Sequence, residues 1–267
     1  MDALPSYSDV ELLGLAQTIY DVPSLAAWRA AELKVLRQCI LTHPVLEIGC
    51  GNGRFASLLM SRWDWGIDCN PRQISKSAGS KGLYGNLAAM DARALEFSDG
   101  AFATVFANCV IEHIPDVHRV LAECRRVLRP GGQLLATVPL REMNRHLLLA
   151  AGWYARWRAG QLEHRNLLSA DEWVAAVSGA GFATVRTTPY LSPAMCELWD
   201  RVDGPLSIGA GPLTVGLAYS MALHLLPGVW RKKLNCKWQH YFTRALQEDC
   251  ENPRSGPPCA MLIQAIA

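Results

Sequence analysis

The hydrophobic positions change period along the chain. Short apolar runs alternate with stretches where apolar residues recur roughly every three to four positions, a pattern that predicts strands alternating with helices and a mainly parallel sheet. The runs predict strands over Pro44–Ile48, Trp65–Asp68, Leu83–Tyr84 with a return near Met90, Thr104–Ala107 and Gln133–Val138. The longer period predicts helices over Arg54–Ser61, Pro71–Ser77 and Val117–Val127, and the last of these runs into Pro-Gly-Gly at 130–132, a strong helix stop. Before the first strand, residues 8–41 read as two helical pieces broken near Pro23. After the fifth strand come a helix-rich stretch, a strand within GFATVRTTPY at 181–190, a mostly helical insertion, the turn-rich NPRSGPP at 252–258 and a terminal strand in CAMLIQAIA.

These patterns divide the chain into an N-terminal helical segment (1–43), an α/β core (44–140), lid helices with a sixth strand (141–191), a helical insertion (192–251) and a final strand (252–267). The outer segments and the insertion are free to build a helical cap.

Composition narrows the class. Of 267 residues, 50% are hydrophobic and 19% charged, which excludes a disordered chain. Lys plus Arg number 26 against 24 Asp plus Glu, too small an excess to argue for a nucleic-acid partner. The nine cysteines are scattered without a CxxC, and no His spacing completes a zinc site, so no metal-ligand set is visible and small buried thiols in a reducing, cytoplasmic setting are expected. The N-terminus MDALPSYSDVELLG lacks a secretion pattern.

One stretch qualifies the soluble reading. Residues 205–230 carry no Asp, Glu, Lys or Arg, and Arg231, Lys232 and Lys233 follow. Pro212 and Pro227 cut the stretch into pieces too short to span a bilayer. A buried helix is the first expectation; a helix touching a membrane surface through 205–233, or a lid over an apolar substrate, stays open.

The candidate chemistry begins at VLEIGCGNGRF, residues 45–55. Glycine is needed where φ is positive or where backbone must approach a ligand closely, and a strand, a glycine turn and a helix N-terminus together cradle a polar group. A phosphate loop would need Gly-Lys-Ser/Thr, but Arg54 and Phe55 follow Gly53. A dinucleotide loop would place a glycine or alanine at Arg54. The loop instead has Glu47 two residues ahead of alternating glycines at 49, 51 and 53.

VLEIGCGNGRF resembles the first motif of the class I S-adenosylmethionine-dependent methyltransferases. Further stretches similar to that family follow in order: GIDCN at 66–70, MDARALEFSDGAFATVFANCVIEHIPD at 90–116 and VLRPGGQLLATVP at 127–139. The resemblance is close over residues 40–140 and nearest in style to the branch that includes the quinone-biosynthesis methyltransferases. It implies a doubly wound, Rossmann-like seven-stranded sheet with the last strand antiparallel, S-adenosyl-L-methionine as methyl donor with S-adenosyl-L-homocysteine as product, and a small-molecule acceptor. A non-catalytic module that binds the same cofactor, or an NAD-dependent oxidoreductase, is the alternative.

By this resemblance, Gly49, Cys50, Gly51 and Gly53 approach the methionyl part of the donor and Glu47 orients its ammonium. Asp68 accepts the ribose hydroxyls, with Cys69 lying against adenine. Asp91 and Ala92 meet the adenine edge, and Asn108 and Cys109 lie beside the methionyl group. Asp68 as a helix N-cap and Asp91 as a turn residue are the plainer readings of those two acids. Transfer from a sulfonium needs positioning more than acid–base help, and a base is needed only for a hydroxyl, ammonium or carbon acid. His113, His164 and Tyr190 are the candidate bases or acceptor contacts. For His113 and His164 a structural role is the first expectation, and Ser169-x-x-Glu172 after His164 reads as a capping box. Arg141, Arg145, Arg156 and Arg158 with Trp153, Tyr154 and Trp157 read as an amphipathic lid with solvated arginines, or as a hold for an anionic group on the acceptor. Oligomeric state and acceptor identity are not written in these motifs.

Overall fold

The computed structural model describes residues 7–79, 82–149, 152–210, 213–251 and 256–267. They fall into two compact units: a sheet unit of Cys39–Arg141, His164–Pro189 and Ala260–Ala267, and a helical unit of Met1–Gln38, Glu142–Glu163 and Tyr190–Cys259. The segment expected as one piece over 141–191 is therefore divided between the two. Most of NPRSGPP lies outside the described residues.

In chain order, the elements are α1 (Asp9–Gln17), α2 (Pro23–Leu36), β1 (Val45–Ile48), β2 (Trp63–Asp68), α3 (Pro71–Ala78), β3 (Tyr84–Ala89), β4 (Phe102–Asn108), α4 (Val117–Val127), β5 (Leu128–Pro139), α5 (Gly152–Gln161), α6 (Ala170–Gly179), β6 (Thr184–Leu191), α7 (Pro193–Leu206), the short strands β7 (Gly209–Ala210) and β8 (Leu213–Thr214), α8 (Val215–Leu225), α9 (Gly228–Glu251) and β9 (Ala260–Ile266). The main sheet has seven strands in the order β3-β2-β1-β4-β5-β9-β6. β1 to β5 pair in parallel, and β9 runs antiparallel to β5, with Ala136 opposite Ile263.

α4 shows how the sequence writes its own packing. Val117, Val120, Leu121, Cys124 and Val127 are buried on one helical stripe, while Arg125 and Arg126 lie in the last turn, where cations suit the helix dipole. Asp116 caps its start by accepting from Arg119 N–H. The stripe joins one buried cluster with Leu46, Val105, Leu134 and Val138 of the sheet and with Trp173 and Val177 of α6. Each fully buried Val or Leu contributes about 1.5–3 kcal/mol. The helix ends where expected, and Pro-Gly-Gly lies within β5 as an irregularity, with Gly131 at φ 72° and a register shift opposite Phe102 and Thr104 of β4.

One expected helix is absent. After the glycine loop, residues 54–61 form only a 3-10 turn, Ala56–Leu58. The crossover from β1 to β2 spends its first residues on left-handed glycines. The buried Trp63 then anchors the remainder, its indole N–H donating to the Ala56 carbonyl at 3.2 Å. The loop is therefore built without an α-helix N-terminus behind it.

The helical unit packs α1 against α2 and α9, and α7 against α2, α8 and α9. Among its buried apolar residues lies one polar cluster. Arg158 of α5, only 1% exposed, donates through Nε to Asp200 at 2.7 Å and through Nη2 to Asp203 at 2.7 Å, both on α7. Tyr154 and the Leu148 amide complete Asp200 at 2.9 and 2.8 Å. This corrects the expectation of solvated or anion-holding arginines at Arg158, since the residue is buried and already paired. The apolar expectation is also corrected. In α8 only Gly216 and Leu223 are buried, whereas Leu213, Met221, Leu225, Val229 and Trp230 along 213–230 are exposed.

Candidate cofactor and acceptor site

The sheet reverses its strand order between β1 and β4, and in open α/β sheets ligands bind outside the carboxyl ends of the strands at that point. The loops leaving β1 and β4 meet there: a Cβ placed on Gly49 would collide with the Val110 side chain. Gly49, Gly51 and Gly53 all have positive φ, at 70°, 53° and 74°. A Cβ on Gly51 would meet nothing within 4 Å, so the middle of the loop presents bare backbone to open space.

Asp68, at the end of β2, is held in place by its neighbours. Its Oδ2 accepts the Gly51 N–H at 3.1 Å and its Oδ1 the Asn70 N–H at 2.8 Å. The helix-cap role weighed for Asp68 belongs to Asn70, whose side chain accepts from Arg72 N–H at the start of α3. Ser77 of α3 donates to the Gly51 carbonyl at 2.5 Å, fixing the loop from below. The Cys50 thiol is pushed up to about 12, first by burial and then by the charge of Glu47, so it stays a neutral wall. Cys69 is exposed beside Asp68.

Glu47 is 4% exposed and accepts a hydrogen bond from the Tyr84 hydroxyl at 2.6 Å. Tyr84 is a site residue that the sequence pattern did not single out. It stands on β3 and reaches β1 across β2 because Gly66 leaves the space: a Cβ there would lie 2.7 Å from the Tyr84 ring. The glycine in GIDCN was the available signal. Burial raises the Glu47 carboxyl from 4.5 to about 7, against the lowering effect of the Tyr84 hydroxyl, and the nearby charge of Asp68 raises it further. The folded protein thus keeps a proton that the unfolded chain releases. This contribution to stability is complete below pH 4.5 and is lost as the pH rises through about 7. Its size is about 3 kcal/mol. Glu47→Gln should flatten that slope in urea titrations of the cofactor-free protein across this window; an unchanged slope would assign it to another group.

Asp91 is exposed, and Arg93 occupies both of its oxygens at 2.7–3.1 Å, which lowers its pKa. An adenine amine would have to displace that guanidinium. Ala92 is buried in the core cluster. At the end of β4, Asn108 Oδ1 accepts from Thr137 Oγ1 at 2.9 Å. Cys109 adopts φ 49°, a left-handed turn held by its N–H to the Thr137 carbonyl at 3.1 Å.

The three candidate bases are divided between the two units. His113 and His164 come together, with ring centroids 5.4 Å apart. Tyr190 belongs to the helical unit, where its hydroxyl donates to Glu32 at 3.4 Å. Glu112, 1% exposed, lies 3.6 Å from His113 Nε2. The capping box at Ser169 and Glu172 forms as expected.

A methyltransferase-domain family model matches residues 46–136. The malonyl-[acyl-carrier protein] O-methyltransferase of a Paenibacillus species is 27% identical over 157 residues, covering 54% of this chain and 57% of that protein. The ubiquinone biosynthesis O-methyltransferase of a Chelativorans species is 25% identical over 169 residues, 59% of this chain and 65% of that protein. The chain thus spans less than two thirds of these two relatives. A SAM-dependent methyltransferase of Thermotoga maritima has the same fold, with a TM-score of 0.58 at 17% identity and with 96% of this chain and 97% of that one covered. The alternating left-handed glycines, the acid closing β2 and the seven-stranded order with one antiparallel strand accompany this match, and over residues 46–136 the chain is similar to the S-adenosylmethionine-dependent methyltransferases.

Proposed function

We propose that the protein transfers a methyl group from S-adenosylmethionine to a small, rather apolar acceptor. The observation that carries this reading is the bare Gly51 backbone beside the pre-oriented Asp68. When bound, the donor supplies an activated sulfonium methyl. Gly49, Gly51 and Gly53 would admit its methionyl backbone, Glu47 would face the ammonium, and Asp68 would accept the ribose hydroxyls, as a carboxylate with free lone pairs can. Asp91 and Ala92 are proposed at the adenine edge, and Asn108 and Cys109 beside the methionyl group. What the protein adds to the rate is position and the exclusion of water. His113, with His164 next to it, is the proposed proton acceptor for a hydroxyl acceptor. The bond from Tyr190 to Glu32 argues for a structural hydroxyl there. Titration calorimetry with S-adenosylmethionine and S-adenosylhomocysteine should show that both bind; heat from neither would end the proposal. Normal donor binding without turnover across an acceptor panel would favour the non-catalytic alternative.

The acceptor class rests on the helical unit. Leu225, Val229 and Trp230 are exposed beside Arg231, Lys232 and Lys233, and the Lys233 ammonium lies 5.0 Å from the Trp230 ring centre. Apolar area beside a basic cluster is the combination that holds a protein on an anionic bilayer, and no helix among the described residues is long and apolar enough to cross one. We propose peripheral contact through 205–233, which suits a lipid or isoprenoid acceptor. The protein should float with phosphatidylserine vesicles and not with phosphatidylcholine vesicles, and the pair Leu225→Asp and Trp230→Ala should abolish flotation. Failure to float with either vesicle would reject the contact.

A further inference from the structure

The sequence shows no metal-ligand spacing, yet the fold assembles a ligand set. Glu112, His113 and His164 present one ligand atom each, all within 4.8 Å of one another. Glu112 and His113 belong to the 3-10 turn Ile111–His113 that follows β4. His164 arrives from a distant part of the chain, and that segment is pinned to the same turn. The amides of Arg165 and Asn166 both donate to the Glu112 carbonyl at 2.8 Å. The Asn166 side chain donates to the Ile114 carbonyl at 2.6 Å.

We propose that these three side chains form a binding site for a divalent transition-metal ion of the zinc, cobalt or manganese class. The donor set is two imidazoles and one carboxylate, which together leave a net positive site with at least one open coordination position. Ligands around such an ion stand about 3.4 Å apart, as expected for bonds of about 2.1 Å in tetrahedral geometry. The pair formed by Glu112 Oε1 and His113 Nε2 already stands at 3.6 Å. The His164 ligand atom lies within 4.8 Å of both. Glu112 is only 1% exposed, so an ion held there would meet a carboxylate screened from water. The site follows β4 at the point where the strand order reverses, so an acceptor oxygen could fill the open position and release its proton to solvent water; with the ion bound, His113 and His164 serve as ligands and not as the proton acceptor. That last step rests on the methyl-transfer reading; the metal site itself does not.

The test uses the full chain, stripped with a chelator and titrated with Co2+. A single equivalent should bind and give a visible d–d band without a thiolate charge-transfer band in the near ultraviolet. Glu112→Gln and His164→Ala should each weaken Co2+ binding at least about tenfold. Both variants should still bind S-adenosylhomocysteine, which shows that they are folded. No Co2+ binding, binding through thiolates, or equal binding by both variants would overturn the metal site and leave a plain His113–Glu112 ion pair. Metal binding with no affinity for S-adenosylhomocysteine in the unaltered protein would retain the site and reject the methyl-transfer reading. Metal binding with transfer rates indifferent to the ion would remove the acceptor oxygen from the open position.

Discussion

Replacing Asp200 by alanine is expected to cost the protein about 3–5 kcal/mol of stability, because breaking a buried ion pair leaves the other charge uncompensated. The stranded group is Arg158, 1% exposed, with its Nε aimed at the missing carboxylate. The Tyr154 hydroxyl and the Leu148 amide lose their acceptor in the same step. Asp203 holds only Nη2 of the guanidinium, and Ser207 accepts from Nη1 at 3.0 Å. Neither reaches Nε, so compensation is partial. Asp200→Asn keeps the shape and acceptors on one side and should cost less than the alanine variant. Urea denaturation followed by tryptophan fluorescence measures both. A loss below about 1 kcal/mol for Asp200→Ala would mean that water reaches Arg158 freely.

The second large effect concerns the donor. Asp68→Ala should weaken S-adenosylmethionine binding about 100-fold, which corresponds to about 3 kcal/mol and to the loss of two hydrogen bonds to a charged acceptor. Part of that loss passes through the loop, since Asp68 also accepts from Gly51 and Asn70. Asp68→Asn retains one oxygen acceptor and should fall between the two. Calorimetry on folded variants decides the matter; unchanged affinity in Asp68→Ala would remove the acid from the ribose.

Much of the core was legible because its information is local. The stripe of α4, its acidic cap and the following Pro-Gly-Gly all lie within one short stretch, and the helix occupies Val117–Val127 as expected. Pro23, which breaks the helical pattern in the sequence, stands at the first turn of α2, where a missing N–H does no harm. The helix expected over Arg54–Ser61 failed for a tertiary reason. Its apolar residues suit a helix, but Trp63 and the glycine loop bound the crossover at both ends and leave room for one tight turn. The apolar stretch at 205–230 misled in the opposite direction. Hydrophobicity alone does not say whether a partner element covers a helix, and α8 keeps most of its apolar face exposed.

The sequence by itself determined the class of the donor. Alternating glycines, the acid before them and the acid closing β2 are each set by residue type and by spacing along the chain. Only the tertiary structure decided which side chains meet across it. Tyr84 reaches Glu47 over Gly66, Arg158 is buried between Asp200 and Asp203, and His164 comes to Glu112 and His113. The physical reason is common to all three. Strand pairing and helix packing bring together residues far apart in the chain, and neither periodicity nor composition carries a record of those distances.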